Sequence, residues 1–579
     1  MKKLKLYILK SEFLQGGYLS NFIDKTKRKV ARSKFYRSIS YFWHWKNNIS
    51  KLKYLLFVYF LIIVLSSIIL FLPISQNANQ PKISYINAVF TTASAFSDTG
   101  LVVVDTYKHW NDLGQAVIAI LILSGGIGIF ALKFFIINYL FGKKTTSVVE
   151  MKLLQTERGG SDMSKMIKLI VSSVKFIFIV ICFYSIILTL YFYFSPLKHT
   201  KGIQLMLNGD FISPQYNWGL SLKFGIFHTI SAINNAGFDI MSGFSLMPYY
   251  QNYFLQISFI ILLIIGGVGY PVLYDLLEWI KHKIHRKPTQ YKFSLFTKVS
   301  LTAYLLILIA GFLASIVFET TSSNPYTLWN QYYIPENLSD SVYTTYTKWF
   351  NDGADLTNVP DKIKQYVENG HLYGSDFDKF FAVVFSSFST RSAGFATVNI
   401  KHFTQGTTFI FILMMIIGAA PASTGGGIRT TTFALMFMSI VRILFGWPKV
   451  RMFKRSIRQE TVNMSSQIIA ITLIIILLAS MILFSSFDTY KGQIKTDSIF
   501  NNGNEVFGTE NIVFEVASAF GTTGLSSGIT KNLNVASKIT LILVMFIGQF
   551  GISSTLQVWK RKKSYKRTFE YIDGDIAIG

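Results

Sequence analysis

The chain has 579 residues, of which 51% are hydrophobic, 16% aromatic and only 15% charged. Its apolar residues fall in runs of about 20 or more, long enough to cross a hydrocarbon core as helices, which excludes a soluble globular protein. The net charge of +26 suggests nucleic acid, but the basic residues gather in short segments beside the apolar runs. That is the positive-inside pattern of membrane helix ends, so no nucleic-acid binding is expected. The single cysteine, Cys182, lies within an apolar run, so neither a disulfide framework nor a cysteine metal site is expected.

In chain order, residues 1–53 form a basic segment whose only acids are Glu12 and Asp24, without the compact apolar stretch of a cleavable signal. Eight apolar segments follow, at roughly 54–73, 112–141, 167–194, 251–280, 294–318, 404–441, 463–486 and 534–559. Within each successive pair lies a shorter stretch ending in small polar residues and a glycine. The pattern predicts an all-α integral membrane protein with four pseudo-symmetric helix–pore loop–helix repeats, hence eight transmembrane helices and four re-entrant pore loops. The expected repeats span 54–141, 142–285, 286–446 and 447–560, with a tail at 561–579.

Charge assigns the sides. Lys281, Lys283, Arg286, Lys287, Lys292 and Lys298 stand without an acid in 281–298, as do Arg442, Lys449, Arg451, Lys454, Arg455 and Arg458 in 442–458. The tail opens with Lys560, Arg561, Lys562 and Lys563. With eight crossings all of these share one face, which makes both termini cytoplasmic in a multi-pass protein of the cell membrane, a bacterial plasma membrane. These segments read first as topology signals; anionic lipid headgroups are a further partner for them. The connection 319–376 is acid-biased and carries Pro325, Pro335 and Pro360, which marks an external insertion that either folds or merely covers an entrance.

The four short stretches align on their glycines: Ser94 to Leu101, Ser231 to Phe238, Phe388 to Phe395 and Ser518 to Leu525. Each glycine follows about ten residues that could form a short helix, and each precedes a large apolar residue. Non-helical backbone survives at membrane depth only when buried in protein or lining a watery cavity. A short helix with a glycine-bearing return strand can aim carbonyls at an axis, and rings of such oxygens replace the hydration shell of a bare cation. Glycine permits the dihedrals this needs. Small residues also let membrane helices pack closely; four matching occurrences favour the filter instead. Its expected residues are Asp98, Thr99 and Gly100; Asn235, Ala236 and Gly237; Ser392, Ala393 and Gly394; and Thr522, Thr523 and Gly524. The expected ion at these residues is potassium.

A second glycine cluster follows each of these: Gly125-Gly126-Ile127-Gly128, Gly266-Gly267-Val268-Gly269, Gly418 onward, and Gly548-Gln549-Phe550-Gly551. Each lies near the middle of a second helix, where a bend or close approach would face the conduction path. The third contains Gly418, Pro421, Ser423, Thr424, Gly425, Gly426 and Gly427. No stable helix continues through a proline and three successive glycines, so 417–428 is expected to break the sixth helix into a gating loop below the filter.

These segments resemble the Trk/Ktr/HKT superfamily of potassium transporters, specifically its Ktr-type membrane subunit. The resemblance covers about residues 54–560. Its most specific residues are Thr99-Gly100-Leu101 with Val103 to Thr106, Asn234 to Asp239, Thr390 to Phe395, Phe514 to Thr522, and the loop 418–428. The resemblance implies potassium uptake through one pore per protomer of a homodimer. It also implies a cytoplasmic regulatory partner of the RCK (KTN) type that binds the nucleotide, ATP/ADP or NAD; no cofactor is expected in this chain. Glycine in all four loops resembles the potassium-selective members, and sodium dependence is left open.

Two departures concern the gate. Gln549 stands where the resemblance implies an arginine in the last helix, and Arg429 follows the loop where lysine is common. Losing a fixed cation under the filter predicts looser gating; alternatively Arg429 supplies the positive group. Asp98 either strengthens cation attraction or caps a local turn. Glu515 is read as a structural group, Arg391 as a brace of the third loop, and His228 as a satisfied buried histidine. The alternative function is the translocating subunit of an ATP-driven potassium pump. No catalytic residue is expected, since no nucleophile elbow, phosphate loop or paired metal ligands occur in the apolar segments.

Overall fold

The computed structural model describes residues 51–136, 163–207, 211–286, 288–333, 340–354, 359–490, 493–495 and 506–552. The expected basic segment 1–53, apart from its last three residues, and the expected tail 561–579 lie outside them. The chain divides into two units, Met1–Tyr59 and Phe60–Gly579. The described part of the first is the opening of the helix Lys51–Phe71, and all that follows belongs to the second.

Four helices are long and apolar enough to cross a membrane: Lys53–Phe71, Lys168–Phe194, Leu295–Thr321 and Gln459–Ser486. They are the first helices of the four repeats. Their apolar side chains face both ways. In Leu295–Thr321, Tyr304, Leu308 and Ser315 are buried on one stripe, while Leu305, Leu306, Ile309 and Leu313 are exposed on the other. Apolar exposure on that scale fits a hydrocarbon surround and not water.

The second helices are shorter, at Asp112–Ile127, Tyr253–Gly267, Gln405–Ile416 and Val535–Phe550. Glycines at positive φ stop three of them: Gly128 at 87°, Gly269 at 84° and Gly551 at 80°. Side chains rarely adopt such φ values, so glycine fixes each break. The segment expected as one span at 251–280 is therefore two helices, Tyr253–Gly267 and Tyr270–Ile284, bent by 106°. The third second helix stops at Ile416, and helix resumes only at Thr430, so the expected break at 417–428 is present. By length and composition, the described residues hold four helices long enough to span, or five with the bent pair, and shorter apolar helices at three of the other four expected places.

Short helices occupy the four expected places: Tyr85–Phe96, Trp218–Ile233, Asp376–Ser389 and Thr509–Gly521. The third begins with a capping box, in which Ser375 and Asp378 satisfy each other's backbone amides. Each second helix packs against the short helix of the following repeat, and the last packs against the first, Tyr85–Phe96. The packing is thus cyclic.

The fold is not wholly α. Arg451–Met452 pairs antiparallel with Arg455–Ser456 around Phe453 and Lys454, both at positive φ, the geometry of a tight two-residue hairpin. A three-stranded antiparallel sheet precedes the fourth short helix, with Gln493–Lys495 between Asp488–Tyr490 and Val506–Gly508. The insertion folds: helices Asp340–Asn351 and Asp361–Val367 enclose an aromatic cluster of Tyr332, Tyr346 and Trp349 with Ile363 and Val367.

Candidate functional site: a ring of four glycines

Each short helix ends in a left-handed residue, followed two positions later by a glycine at positive φ. The first residues are Asp98 (50°), Asn235 (56°), Ser392 (68°) and Thr522 (46°). The glycines are Gly100 (88°), Gly237 (67°), Gly394 (78°) and Gly524 (86°). One backbone turn is therefore made four times. Serines of the short helices hold the return strands: Ser231 Oγ donates to Phe238 O at 2.7 Å, Ser389 Oγ to Phe395 O at 2.5 Å, and Gly524 N donates to Ser518 Oγ at 3.0 Å. The apolar residues after the glycines, Leu101, Phe238, Phe395 and Leu525, are all buried anchors.

The four glycines close a ring in chain order. A Cβ placed on Gly100 would lie 3.1 Å from Gly237 Cα, and one on Gly237 would lie 2.8 Å from Gly394 Cα. One on Gly394 would meet Gly524 Cα at 3.2 Å, and one on Gly524 would meet Gly100 Cα at 2.9 Å. At each step the same Cβ would also strike the carbonyl oxygen preceding the next glycine, in turn Ala236, Ala393, Thr523 and Thr99. Four carbonyls and four glycines thus share one narrow level, with no room for a side chain.

Behind the ring, the second glycine clusters meet the short helices. A Cβ on Gly125 would strike Phe96 O, one on Gly266 Ile233 O, and one on Gly548 Phe520 O, all four residues before a ring glycine. Thr424 Oγ1, Thr522 Oγ1, Thr523 Oγ1 and Asn234 Oδ1 are buried without a protein hydrogen-bond partner. Buried oxygens of this kind call for water or an ion. The gathered ligands are carbonyl and hydroxyl oxygens, which suit hard, weakly polarising cations. Among the described residues no three His, Cys, Asp or Glu side chains come together.

The loop 417–429 lies against this level. Ala420 N donates to Gly267 O at 3.1 Å, Thr424 N to Gly266 O at 3.3 Å, and Tyr270 N to Ala422 O at 3.0 Å. Within the loop, Ala419 N bonds Gly426 O at 3.2 Å and Ile428 N bonds Ile416 O at 2.9 Å. A Cβ on Gly425 would come 2.7 Å from Ser392 Cβ, and one on Gly426 would come 2.6 Å from Thr522. Pro421, Ser423 and Gly427 lie in the same loop, and Gly418 faces Gly426 and Gly427 across it.

Arginines hold the loop at both stems. Arg391 donates to Met414 O at 3.1 Å, to Gly418 O at 2.6 Å and to Ile417 O, and its guanidinium lies 5.1 Å from the Tyr304 ring centroid. It braces the stem of this loop, where the sequence suggested its own return strand. Arg429 donates to Gly425 O and, at 2.8 Å, to Gln549 O. Gln549 donates its amide to Asp98 Oδ2 at 3.2 Å and to Thr424 O at 3.0 Å. The two residues singled out as unusual, Asp98 and Gln549, are therefore partners, a pairing that nothing in the local sequence signals.

His228 and Glu515 are both hydrogen-bonded within their own segments. His228 bonds Phe224 O at 2.8 Å and accepts from Ile240 N at 3.3 Å. Glu515 accepts from Ser526 Oγ at 2.8 Å, from Ser527 N at 3.3 Å and from Thr530 Oγ1, clamping the fourth return strand.

The chain is similar to known proteins. The profile of the TrkH family, described as cation transport protein, matches residues 43–566. An uncharacterized cation transporter of Mycoplasma genitalium is 31% identical over 92% of this chain and 98% of its own. The Ktr system potassium uptake protein D of Bacillus subtilis is 29% identical over 90% of this chain and 95% of its own. A potassium/sodium uptake protein of Enterococcus hirae is 27% identical over 90% and 95%. The crystal structure of the potassium transporter TrkH from Vibrio parahaemolyticus has a TM-score of 0.54 at 16% identity, covering 89% of this chain and 87% of that one.

Proposed function

Since the chain belongs to the TrkH family of cation transport proteins, we propose that this membrane protein takes up potassium through the ring of Gly100, Gly237, Gly394 and Gly524. The observation that carries this reading is the ring itself, in which each glycine abuts a carbonyl of the next repeat. Carbonyl oxygens at one level substitute for the hydration shell of an alkali cation, and the absence of side chains leaves them free to do so. The potassium uptake proteins among the relatives support this choice of ion, and the potassium/sodium uptake relative supports sodium as an assisting ion.

In the same reading the four short helices with their return strands are re-entrant loops, and the chain crosses the cell membrane eight times with both termini in the cytoplasm. The loop 417–428 is the gate, with Arg429, whose guanidinium rests on the carbonyl of Gln549, as its positive group. The protein acts as a homodimer with an RCK/KTN-type regulatory subunit that binds ATP/ADP or NAD, and its basic segments meet anionic lipid headgroups. The pump-subunit alternative is set aside, because the relatives carry the names of uptake proteins.

The test is flux of potassium, rubidium and sodium into proteoliposomes, comparing the parent with Gly100→Ser. A side chain at Gly100 meets Ala236 O and holds a disfavoured φ. The potassium-over-sodium ratio is expected to fall by about tenfold, the equivalent of one lost ligand contact. Unchanged selectivity and rate would remove the first loop from the filter.

A further inference from the structure

Three repeats meet at Gln549. Its side chain joins Asp98 Oδ2 (3.2 Å) of the first repeat to Thr424 O (3.0 Å) of the loop, and its carbonyl accepts from Arg429 Nη2 (2.8 Å). A primary amide has two N–H groups, and here one is given to each side. Asp98 stands two residues before the ring glycine Gly100, in the left-handed turn that sets the direction of the first return strand. Thr424 and Arg429 belong to the loop and its exit. The loop cannot withdraw with the Gln549 bonds intact, nor can Asp98 swing away without losing its own.

We propose that Gln549 is a positioning residue that couples the ring to the loop. With the loop in place, Gln549 holds Asp98 and hence the Thr99–Gly100 backbone in ring geometry; withdrawal of the loop removes the Thr424 and Arg429 contacts that fix Gln549 and so weakens that hold. The neutral amide suits the task because it donates to a carboxylate and a carbonyl at once without adding charge. The proposal rests on reading the ring as filter and the loop as gate.

Two measurements separate the parts. The potassium-over-sodium flux ratio in proteoliposomes of the full chain reports the ring. The rate at which a small thiol reagent modifies Ala422→Cys, in a Cys182→Ser background, reports the loop, and flux is recorded before and after modification. Gln549→Glu sets two carboxylates against each other. It is expected to raise the modification rate and lower the flux ratio, each by about tenfold for one hydrogen bond to a charged group. Asp98→Asn combined with Gln549→Glu exchanges donor and acceptor between these two side chains but leaves Thr424 O without its donor, so it is expected to recover the flux ratio to within about threefold of the parent while the modification rate stays raised. Gln549→Leu, which removes the donor without adding charge, should move both readouts in the same direction and stands in if the glutamate variant does not fold. The coupling is overturned if neither readout moves in the single variants, if only one moves, or if the exchanged pair fails to recover the flux ratio, while filter and gate readings stand. If modification at position 422 leaves flux unchanged, the gate reading falls and the coupling falls with it.

Discussion

The Lys538 ammonium donates to Asn87 Oδ1 at 2.9 Å, tying the last helix, Val535–Phe550, to the first short one across 451 positions of sequence. Gln549 and Asp98 are separated by the same 451 positions. The two contacts mark the ends of one seam, and that seam closes the cycle begun by the first repeat.

Breaking the seam should cost stability unequally. Asn87→Ala leaves a buried ammonium without its acceptor, whereas Lys538→Met leaves only a neutral amide, and stranded charges are the more expensive. The alanine variant should lose about 3 kcal/mol and the methionine variant about 1 kcal/mol. Thermal unfolding of the detergent-solubilised protein gives the order; equal losses would mean that the contact does not hold the seam.

Gly394 and Gly370 offer a controlled comparison, because both have φ of 78°. Alanine at Gly370 meets nothing within 4 Å, so only the strain of the left-handed backbone remains, about 1 kcal/mol. Alanine at Gly394 meets Thr523 O and lies 2.8 Å from Gly237 Cα. Flux should survive the first substitution and vanish with the second. Similar flux in the two variants would show that dihedral freedom, and not space, selects glycine in the ring.

Arg391 should govern the loop through three carbonyls. Arg391→Met leaves Met414 O, Ile417 O and Gly418 O without these donors at the end of a helix. Hydrogen exchange over 418–427 should accelerate by about tenfold or more, with Arg391→Lys intermediate because an ammonium is a point donor and not a fork. Unaltered exchange would assign Arg391 to its own strand alone.

The insertion should loosen in acid. Burial first, and then the Lys379 ammonium, hold the His371 imidazole below the ordinary histidine value, against the opposing pull of Asp376. His371 also packs against Tyr332, with tilted rings whose centroids lie 4.3 Å apart, and so borders the aromatic cluster. The folded state binds this proton more weakly than the unfolded chain. The contribution to stability is therefore complete above the ordinary value of 6.5 and declines as pH falls below it. Protection of the amides of 340–351 should drop between neutral pH and about 5, and His371→Gln should flatten the change. A flat profile in the parent would discard the histidine as its origin.

The ring was readable in the sequence because its requirement is local. Gly100, Gly237, Gly394 and Gly524 each follow a helix-length stretch and precede an anchor, and glycine suits both the positive φ they adopt and the lack of room for a side chain. The loop was readable for the same reason, through Pro421 and Gly425 to Gly427. What escaped was long-range. The donation from Gln549 to Asp98 depends on cyclic packing of the whole chain, and no local pattern reports it. A bend at Gly266-Gly267-Val268-Gly269 was one of two local readings, but its size, 106°, was not legible because the cluster sits inside an apolar run that composition extends across the break. The strands around 488–508 are two or three residues long, too short for alternation to register.

Because the ring is closed by one chain, its four quarters need not be identical. Two positions before the glycines stand an aspartate, an asparagine, a serine and a threonine, Asp98, Asn235, Ser392 and Thr522, each in the same left-handed conformation. In an assembly of four identical subunits any change at this position is made fourfold, so a single aspartate would arrive as four facing carboxylates, which repel one another at short range. Here a mutation arrives in single dose. The chemistry of the ring can then be altered one quarter at a time, and a charge that a symmetric ring could not tolerate becomes a usable variation.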